Sequence, residues 1–312
     1  MSSSEASSRA KSPIRFPAAP ARPPVDRFRL TGPTRALDPR TNAIRPDLAD
    51  AALAGMLFAP HYALPHPCRV EAASVPLSGA ADGSATAVSQ LKQGEGFAVL
   101  DVTGGWAWGY GLHDHYVGYL PVAALGAIEA EANHVVTAPL APVFAGPAIK
   151  TAVVTSLPIG ARLCGEAEGA FLKVAQGYLH LRHVAAVDEV SPDPVAVAER
   201  LIGAPYLWGG RGAGGIDCSG LVQVALGLSG ILAPRDSDQQ RGLGREIAEG
   251  DALRRGDIIF FPGHVGLMAD GARLLHANAF WMATVIEPLA DVIARLEEAG
   301  ETRPIVARRR ID

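Results

Sequence analysis

Cysteine is scarce in this chain, with three residues in 312, at positions 68, 164 and 218. Widely separated cysteines in odd number argue against a disulfide framework. Cys68 and Cys164 lie in apolar stretches, so we interpret both as small buried hydrophobic residues. Cys218 differs from them, because polar residues flank it on both sides.

Long apolar runs and an excess of charge of one sign are also missing. No apolar stretch reaches the length of a membrane span, and the first residues lack the hydrophobic region of an export signal. The net charge is −4, from 28 basic and 32 acidic residues. We therefore expect a cytoplasmic protein with no nucleic-acid and no membrane partner. Composition leaves the oligomeric state open.

Turn residues and changes of periodicity divide the chain into five parts. We predict a disordered tail over 1–30, a helical segment within 31–62, two small β-barrels over 63–127 and 133–188, and an α+β domain over 194–312. The second barrel repeats the strand and turn pattern of the first in weaker form, which indicates an internal duplication. The predicted fold class is α+β.

A run rich in Gly and Pro over 203–215 precludes regular structure, and an apolar-periodic stretch over 221–228 then predicts a helix. Asp217 is placed to cap that helix with its carboxylate. Cys218 then lies in the first turn, where unpaired N–H groups and the positive dipole end favour a thiolate. The sequence therefore predicts Cys218 as a nucleophile.

Two histidines follow on a predicted β-hairpin. His264 opens one strand and His276 ends the next, on either side of an Asp-Gly turn at 270–271. The hairpin brings the two rings close together, and the helix that begins at Cys218 can pack against their sheet. A nucleophile needs a base and the base needs an orienting group, so we expect these three residues to act together.

Five motifs occur in order around these residues. They are Pro205-Tyr206-Leu-Trp208-Gly209-Gly210, Asp217-Cys218-Ser219-Gly220, Arg235-Asp236-Ser237, Arg255-Gly256-Asp257 and Gly263-His264-Val265-Gly266. Together they resemble NlpC-type cell-wall peptidases, which are papain-like cysteine enzymes that cut peptidoglycan stem peptides. The resemblance covers about the last third of the chain. The first predicted barrel ends in Tyr-Val-Gly-Tyr-Leu-Pro, which resembles a bacterial SH3-like domain.

The resemblance implies a catalytic role for four side chains. Cys218 is the nucleophile, and His264 is the general base that takes its proton and later protonates the leaving amine. His276 holds His264 in one tautomer, as an Asn or Asp does in papain-like triads. The Cys218 backbone N–H and the Tyr206 hydroxyl stabilise the oxyanion.

Resemblance to the sub-group that removes dipeptides also implies a pocket for a free N-terminal amine. Asp236 faces the amine of L-Ala, Ser237 and Ser219 contact the D-Glu unit, and Tyr116 of the first barrel closes the pocket. The expected substrate-binding residues are Asp217, Ser219, Arg235, Asp236, Ser237, Tyr116 and Trp208, the last as a wall. The resembling enzymes add an acidic residue from that barrel. The strand at 87–90 carries none, which leaves Glu71 and Glu95 as candidates.

Two other patterns suggest a cofactor or a metal, and both fail on context. The run Gly210–Gly215 matches a dinucleotide fingerprint, but a helix precedes it where a strand is required. Cys218, His264 and His276 are possible zinc ligands, but a metal-bound thiolate is a poor nucleophile and no carboxylate is placed as a general base. We therefore expect no cofactor and no metal.

The sequence thus predicts a cysteine peptidase with a small murein peptide as its partner. It would hydrolyse the bond between γ-D-Glu and a diamino acid, diaminopimelate or lysine, in peptides with a free N-terminal L-Ala. The product would be L-Ala-γ-D-Glu, and the setting cell-wall peptide recycling. Two alternatives are a wall-binding protein whose SH3-like barrels anchor it to peptidoglycan, and an endopeptidase acting on intact wall.

Overall fold

The computed structural model describes residues 37–189 and 191–311. Over these residues the chain is mostly β, and its α-helices all lie at or beyond Pro194. The α+β prediction therefore holds for the C-terminal domain, whereas the rest of the described chain consists of strands, turns and short 3-10 helices. The predicted tail over 1–30 lies outside the described residues.

The N-terminal segment, residues 37–63, does not form the predicted helix. Its helical content is one 3-10 turn, Ala51–Leu53, which Asp50 caps by accepting a hydrogen bond from the Ala52 N–H at 2.9 Å. Short strands at Ala49–Asp50 and Tyr62–Ala63 pair in parallel around it. Helix nucleation is unfavourable in so short a segment. Its backbone N–H and C=O groups form hydrogen bonds between the two short strands instead.

The first β domain, residues 66–126, is one seven-stranded antiparallel sheet. Its strands lie in the order Ala87–Lys92, Ser74–Ser78, Val117–Pro121, Trp106–Gly111, Gly96–Thr103, His66–Val70 and Leu125–Gly126. Alternate residues face a core that includes the fully buried Leu77, Phe97 and Leu120. The β structure predicted for this part of the chain is confirmed.

The second β domain, residues 134–186, has its own core around Val143, Leu172 and Leu179. Five strands lie in the order Val153–Pro158, Leu140–Phe144, Gly177–His180, Phe171–Val174 and Glu166–Glu168. Three more, in the order Arg162–Leu163, His134–Val136 and Val184–Ala186, form a separate sheet. The β structure predicted for this part of the chain is confirmed.

The C-terminal domain packs helices on both faces of an antiparallel sheet. The six strands lie in the order Arg245–Glu246, Ala307–Arg310, Ile258–Phe261, His264–Met268, Arg273–Asn278 and Ala283–Pro288. The helices are Pro194–Glu199, Cys218–Gly227, Ser237–Gln240 and Leu289–Glu298. Because side chains alternate along a strand, Ile258 and Phe260 face the first two helices, whereas Ile259 and Phe261 face the last. A two-stranded pair, Arg211–Gly212 with Gly215–Ile216, forms the Gly-rich loop.

One detail differs from the sequence-based expectations: Cys164 is exposed, although Cys68 is buried as predicted. In the last strand, Ala307–Arg310, the Arg310 guanidinium forms an ion pair at 2.6 Å with the buried carboxylate of Asp257. A buried carboxylate needs such a partner.

A buried polar network joins the first β domain to the C-terminal domain. Glu95 forms an ion pair with Arg211 at 2.9 Å, and both are less than 8% exposed. Lys92, in the same network, donates from Nζ to the Ile159 carbonyl of the second β domain at 3.0 Å. Charged groups buried at a junction tolerate little displacement, since a lost partner leaves a charge unpaired. The network therefore fixes the position of the first β domain relative to the C-terminal domain.

Candidate active site

Cys218 is the first residue of the helix Cys218–Gly227, as the sequence predicts. Asp217 caps the helix, with Oδ1 accepting from the Gly220 N–H at 2.7 Å. Its Oδ2 accepts from the Gly209 N–H at 2.8 Å, which ties the Gly-rich loop to the helix start. Gly209 has a φ of 80°, a backbone conformation that favours glycine. One carboxylate therefore holds the loop and the nucleophile together.

The Cys218 sulfur lies at the meeting point of this helix and the first histidine strand. The backbone N–H groups of Val265, which follows His264 in the chain, and of Ser219 lie near it and favour its ionised form. Burial, and then the nearby Asp217 carboxylate, raise the pKa of the thiol to about 11. The expectation of a thiolate before attack is therefore wrong, because burial affects the pKa of the thiol more than the helix N-terminus does. The thiol needs a base to take its proton during attack.

His264 and His276 are in direct contact across the hairpin. His264 Nε2 lies 2.8 Å from His276 Nδ1. Burial, and then the neighbouring His276, lower the pKa of His264, so its imidazole is neutral near pH 7 and able to accept a proton. This confirms the predicted juxtaposition of the two rings, and it leaves Nδ1 of His264 as the nitrogen that His276 does not use.

Behind His276 lies Glu287, which sequence analysis missed. Its Oε1 is 2.8 Å from His276 Nε2, and its Oε2 accepts from Arg295 at 2.6 Å. Val285 is directly opposite His276 in the sheet, and Glu287 lies two residues beyond Val285 on the same strand. The side chains of Glu287 and His276 therefore face the same side of the sheet. The available signal was a single acid in an otherwise uncharged strand, Ala283–Pro288.

The predicted substrate-binding residues come together around one cavity of about 470 Å³. The cavity is lined by Cys218 and by all seven of them: Asp217, Ser219, Arg235, Asp236, Ser237, Tyr116 and Trp208. Cys218 itself is only 5% exposed, and it is one of the residues that line this cavity. The predicted nucleophile and the predicted amine-binding carboxylate thus line the same cavity.

Tyr116 contacts Asp236 across the domain boundary, as predicted. Its hydroxyl donates to Asp236 Oδ2 at 2.8 Å. Burial, and then the charge of Asp236, raise the pKa of Tyr116, so the phenol stays protonated and keeps donating. The first β domain therefore supplies part of the cavity wall.

Arg40 is a second contact to Asp236 and was not predicted. Its Nη1 donates to Asp236 Oδ2 at 2.8 Å, and its Nη2 donates to Asp238 at 2.8 Å and to Asp38 at 2.7 Å. The Arg40 carbonyl accepts from the Val117 N–H, which ties the N-terminal segment to the first β domain. No local sequence signal connects Arg40 to a carboxylate 196 residues away.

Asp217, Ser219 and Arg235 line the cavity with their polar atoms already engaged. Arg235 is 1% exposed and donates from Nη1 to Asp217 and to the Ser219 hydroxyl, each at 2.9 Å. Its Nε donates to the Ser89 hydroxyl at 3.0 Å. A fully hydrogen-bonded ion pair of this kind is rigid, so these residues form a fixed floor.

The two candidates for an acid from the first β domain lie elsewhere. Glu95 is buried against Arg211 in the junction network, and neither it nor Glu71 lines the cavity. The strand expected to carry that acid presents Val88 to the cavity instead. Within the described lining, the acids are Asp217, Asp236 and Asp238.

Tyr206 lies near the predicted nucleophile, Cys218, where an oxyanion donor is expected. Burial, and then the Cys218 sulfur once it is ionised, raise the pKa of Tyr206 to about 12, so its hydroxyl keeps its proton. The Tyr206 N–H donates to the Met282 carbonyl at 3.0 Å, which fixes the loop. The described residues contain no group of three His, Cys, Asp or Glu side chains suited to a metal ion.

None of the described helices combines the length and the apolar character that crossing a membrane requires.

Two parts of the chain match known families. Residues 203–289 match the NlpC/P60 family, and residues 77–125 match the bacterial dipeptidyl-peptidase SH3 domain. Dipeptidyl-peptidase 6 of Lysinibacillus sphaericus is 39% identical over 84 residues, or 27% of this chain and 31% of that protein. The gamma-D-glutamyl-L-lysine dipeptidyl-peptidase of Bacillus subtilis is 31% identical over 113 residues, which are 34% of this chain and 38% of that protein. The chain thus spans about a third of the length of these relatives.

A solved structure has the same fold over most of the chain. An NlpC/P60 family protein from Bacillus cereus superposes with a TM-score of 0.67, covering 78% of this chain and 99% of its own at 20% identity. The SH3 match lies in the first β domain, and SH3-like character of the second stays a prediction. The chain therefore carries an NlpC/P60 domain, of a cysteine peptidase family, behind a bacterial dipeptidyl-peptidase SH3 domain.

Proposed function

We propose that this protein is a cysteine peptidase that releases L-Ala-γ-D-Glu from murein peptides with a free N-terminal L-Ala. The observation that carries the proposal is the shared cavity, where Cys218 and Asp236 line the same walls. A thiol with a base can attack an amide, and a carboxylate in the same cavity can select for an ammonium group. The bond cleaved joins γ-D-Glu to a diamino acid.

The chemistry proceeds in two halves through a thioester. His264 takes the thiol proton as the Cys218 sulfur attacks the carbonyl carbon of γ-D-Glu. The oxyanion accepts hydrogen bonds from the Cys218 N–H and the Tyr206 hydroxyl. His264 then returns the proton to the leaving amine of the diamino acid. A water molecule, deprotonated by His264, hydrolyses the thioester, and Cys218 regains its proton.

Asp236 binds the substrate amine with the carboxylate oxygen that the described residues leave without a hydrogen bond. Both Tyr116 and Arg40 donate to Oδ2, so Oδ1 accepts from the ammonium of L-Ala. A charge-assisted hydrogen bond of this kind contributes about 1.5 to 3 kcal/mol. Ser237, the next residue, lines the same cavity and contacts the D-Glu unit.

The same contacts explain why a dipeptide is released. Tyr116 and Arg40 both contact Asp236, from two parts of the chain, so we expect them to block a residue before L-Ala. A peptide extended or acetylated at its amine loses the ion pair and also meets this wall. A cavity walled in this way suits short turnover peptides better than intact wall, and this supports our proposal of a role in murein peptide recycling in the cytoplasm.

Product analysis on a defined tripeptide tests the proposal. We expect L-Ala-γ-D-Glu-diaminopimelate, or its lysine counterpart, to yield L-Ala-γ-D-Glu, and an N-acetylated copy to react at least about tenfold more slowly. The Cys218→Ala variant controls for contaminating peptidases. Absence of the dipeptide with both diamino acids would contradict the activity, and equal rates on the acetylated copy would contradict amine recognition.

A further inference from the structure

His276 Nε2 has two neighbours that make opposite demands on it. Glu287 Oε1 lies 2.8 Å away and Asn278 Nδ2 lies 3.0 Å away. An ionised carboxylate can only accept a hydrogen bond, so it requires a proton on Nε2. An amide nitrogen can only donate, so it requires Nε2 to be unprotonated. The two neighbours therefore select different tautomers of His276.

Both neighbours are held in place. Asn278 cannot simply exchange its oxygen and nitrogen, because its Oδ1 accepts from the Trp281 backbone N–H at 2.8 Å. Glu287 is 8% exposed and receives Arg295, whose guanidinium also lies 3.8 Å from the centre of the Phe280 ring. The choice of tautomer thus depends on which neighbour interacts more strongly with Nε2.

Charge decides in favour of Glu287. Burial opposes its ionisation, but the hydrogen bond from the Arg295 guanidinium at 2.6 Å keeps the pKa of Glu287 below its ordinary value. Hydrogen bonds to an ionised acceptor are about twice as strong as neutral ones, so Nε2 carries the proton. His276 Nδ1 then has a free lone pair and can accept from His264 Nε2–H, since the two nitrogens are 2.8 Å apart.

We infer that Glu287 is a positioning residue whose charge selects the tautomer of His276 and, through it, that of His264. With Nε2 of His264 protonated, its Nδ1 is the basic nitrogen and can take the proton of Cys218. The opposite tautomer of His276 would donate to Nε2 of His264. His264 would then carry its proton on Nδ1, and that nitrogen could not accept the proton of Cys218. The inference rests on the proposed function only in naming the reaction that this base serves.

The charge of Glu287 has a second effect on the reaction. When the thiol proton moves to His264, a positive charge forms on the histidine pair, one ring away from the carboxylate. An opposite charge at such a distance stabilises the imidazolium and eases ionisation of the thiol. Removing the charge therefore makes the thiol of Cys218 harder to ionise as well as disturbing the tautomer.

Replacing Glu287 by an uncharged isostere separates its charge from its shape. We expect Glu287→Gln to lower kcat by at least about tenfold with little change in KM, since substrate does not touch this residue. In a Cys164→Ser background, the apparent pKa for alkylation of Cys218 by iodoacetamide should rise by about one unit. A variant with the wild-type kcat and the wild-type alkylation profile would overturn the inference.

A second substitution tests the competition directly. In the double variant Glu287→Gln with Asn278→Asp, the donor beside Nε2 becomes a charged acceptor, while its other oxygen can still accept from Trp281. We expect this variant to regain most of the lost kcat. A double variant as slow as the single one would show that charge beside Nε2 is not what matters.

Histidine NMR of the wild-type protein decides the tautomers without a variant and without substrate. With ¹⁵N-labelled histidine, we expect His276 and His264 each to be protonated at Nε2 and unprotonated at Nδ1. A proton on Nδ1 of His276 would overturn the inference even if every variant misfolds. The expected tautomers in a protein that does not cleave the tripeptide would contradict the proposed function alone.

Discussion

The two β domains have the same arrangement of strands but different relations to the site. In the first, the strands Ala87–Lys92, Ser74–Ser78, Val117–Pro121, Trp106–Gly111 and Gly96–Thr103 are neighbours in that order. In the second, Val153–Pro158, Leu140–Phe144, Gly177–His180, Phe171–Val174 and Glu166–Glu168 follow the same order. A register shift interrupts the equivalent hairpin in both. This shared order supports the predicted duplication.

The difference lies in one connection between equivalent strands. In the first domain residues 112–116 link two neighbouring strands, and Tyr116 ends that loop at Asp236. In the second domain the equivalent strands are joined by residues 175–176 alone. Of the described residues that line the cavity, none belongs to the second domain. A scaffold can thus be kept for packing while a longer loop on one copy adds function.

If the domains differ in this way, chemistry should depend on the C-terminal cysteine and not on those of the β domains. We expect Cys218→Ala to reduce tripeptide hydrolysis by at least about a thousandfold, because the nucleophile is lost. Cys68→Ala and Cys164→Ala should keep near-normal kcat. A comparable loss of turnover in either control variant would contradict the assignment of the nucleophile.

The second domain should matter for stability through Lys92, which donates to Ile159. Burial lowers the pKa of Lys92 to about 7, from an ordinary value of 10.5. Between these values the unfolded state binds more protons, so this group's contribution to the free energy of unfolding rises with pH. The free energy of unfolding of wild type minus that of Lys92→Met should therefore rise by about 2 kcal/mol from pH 7 to 9. Chemical denaturation at several pH values measures it, and a gap that is constant or shrinks would contradict a neutral buried amine.

Tyrosines of the two domains offer a direct contrast. Tyr116→Phe removes one hydrogen bond to Asp236, so we expect kcat/KM on the free-amine peptide to fall about fivefold, equivalent to roughly 1 kcal/mol. Tyr178→Phe, in the second domain, should leave kcat/KM unchanged. Equal effects of the two substitutions would remove the functional distinction between the domains.

The smallest expected effect concerns the N-terminal segment that accompanies the first domain. Arg40→Gln should lower the preference for a free amine over an N-acetylated one by about threefold, because a contact to Asp236 is lost. The effect is small because the Arg40 side chain is 38% exposed and solvent screens its ion pair with Asp236. Arg45→Gln is the matched control, since Arg45 pairs with Asp47 and Asp101 away from the cavity. An unchanged preference in Arg40→Gln would contradict a role for this segment.

Sequence reasoning succeeded where function depends on neighbours in the chain. The cap at Asp217 and the hairpin of His264 and His276 follow from local propensity and turn chemistry, and the structure confirms both. Tyr116 and Asp236 came from motif resemblance, and the structure joins them at 2.8 Å.

It failed where a residue's environment is set by distant parts of the fold. Arg40 meets Asp236 only through tertiary packing, and Glu287 meets His276 across a strand pair whose register was not assigned. The prediction that Cys218 is ionised was wrong for the same reason. A helix start is visible in the sequence, whereas the burial that raises the pKa of the thiol appears only in the packed structure.

The most direct test of the account compares kcat/KM for the free-amine and N-acetylated tripeptides in wild type, Asp236→Asn and Asp238→Asn. We expect wild type and Asp238→Asn to favour the free amine at least about tenfold, and Asp236→Asn to lose that preference while Cys218 still reacts with iodoacetamide. A preference that survives in Asp236→Asn, or that is absent in wild type, would contradict the claim that one cavity joins the thiol to an amine-binding carboxylate.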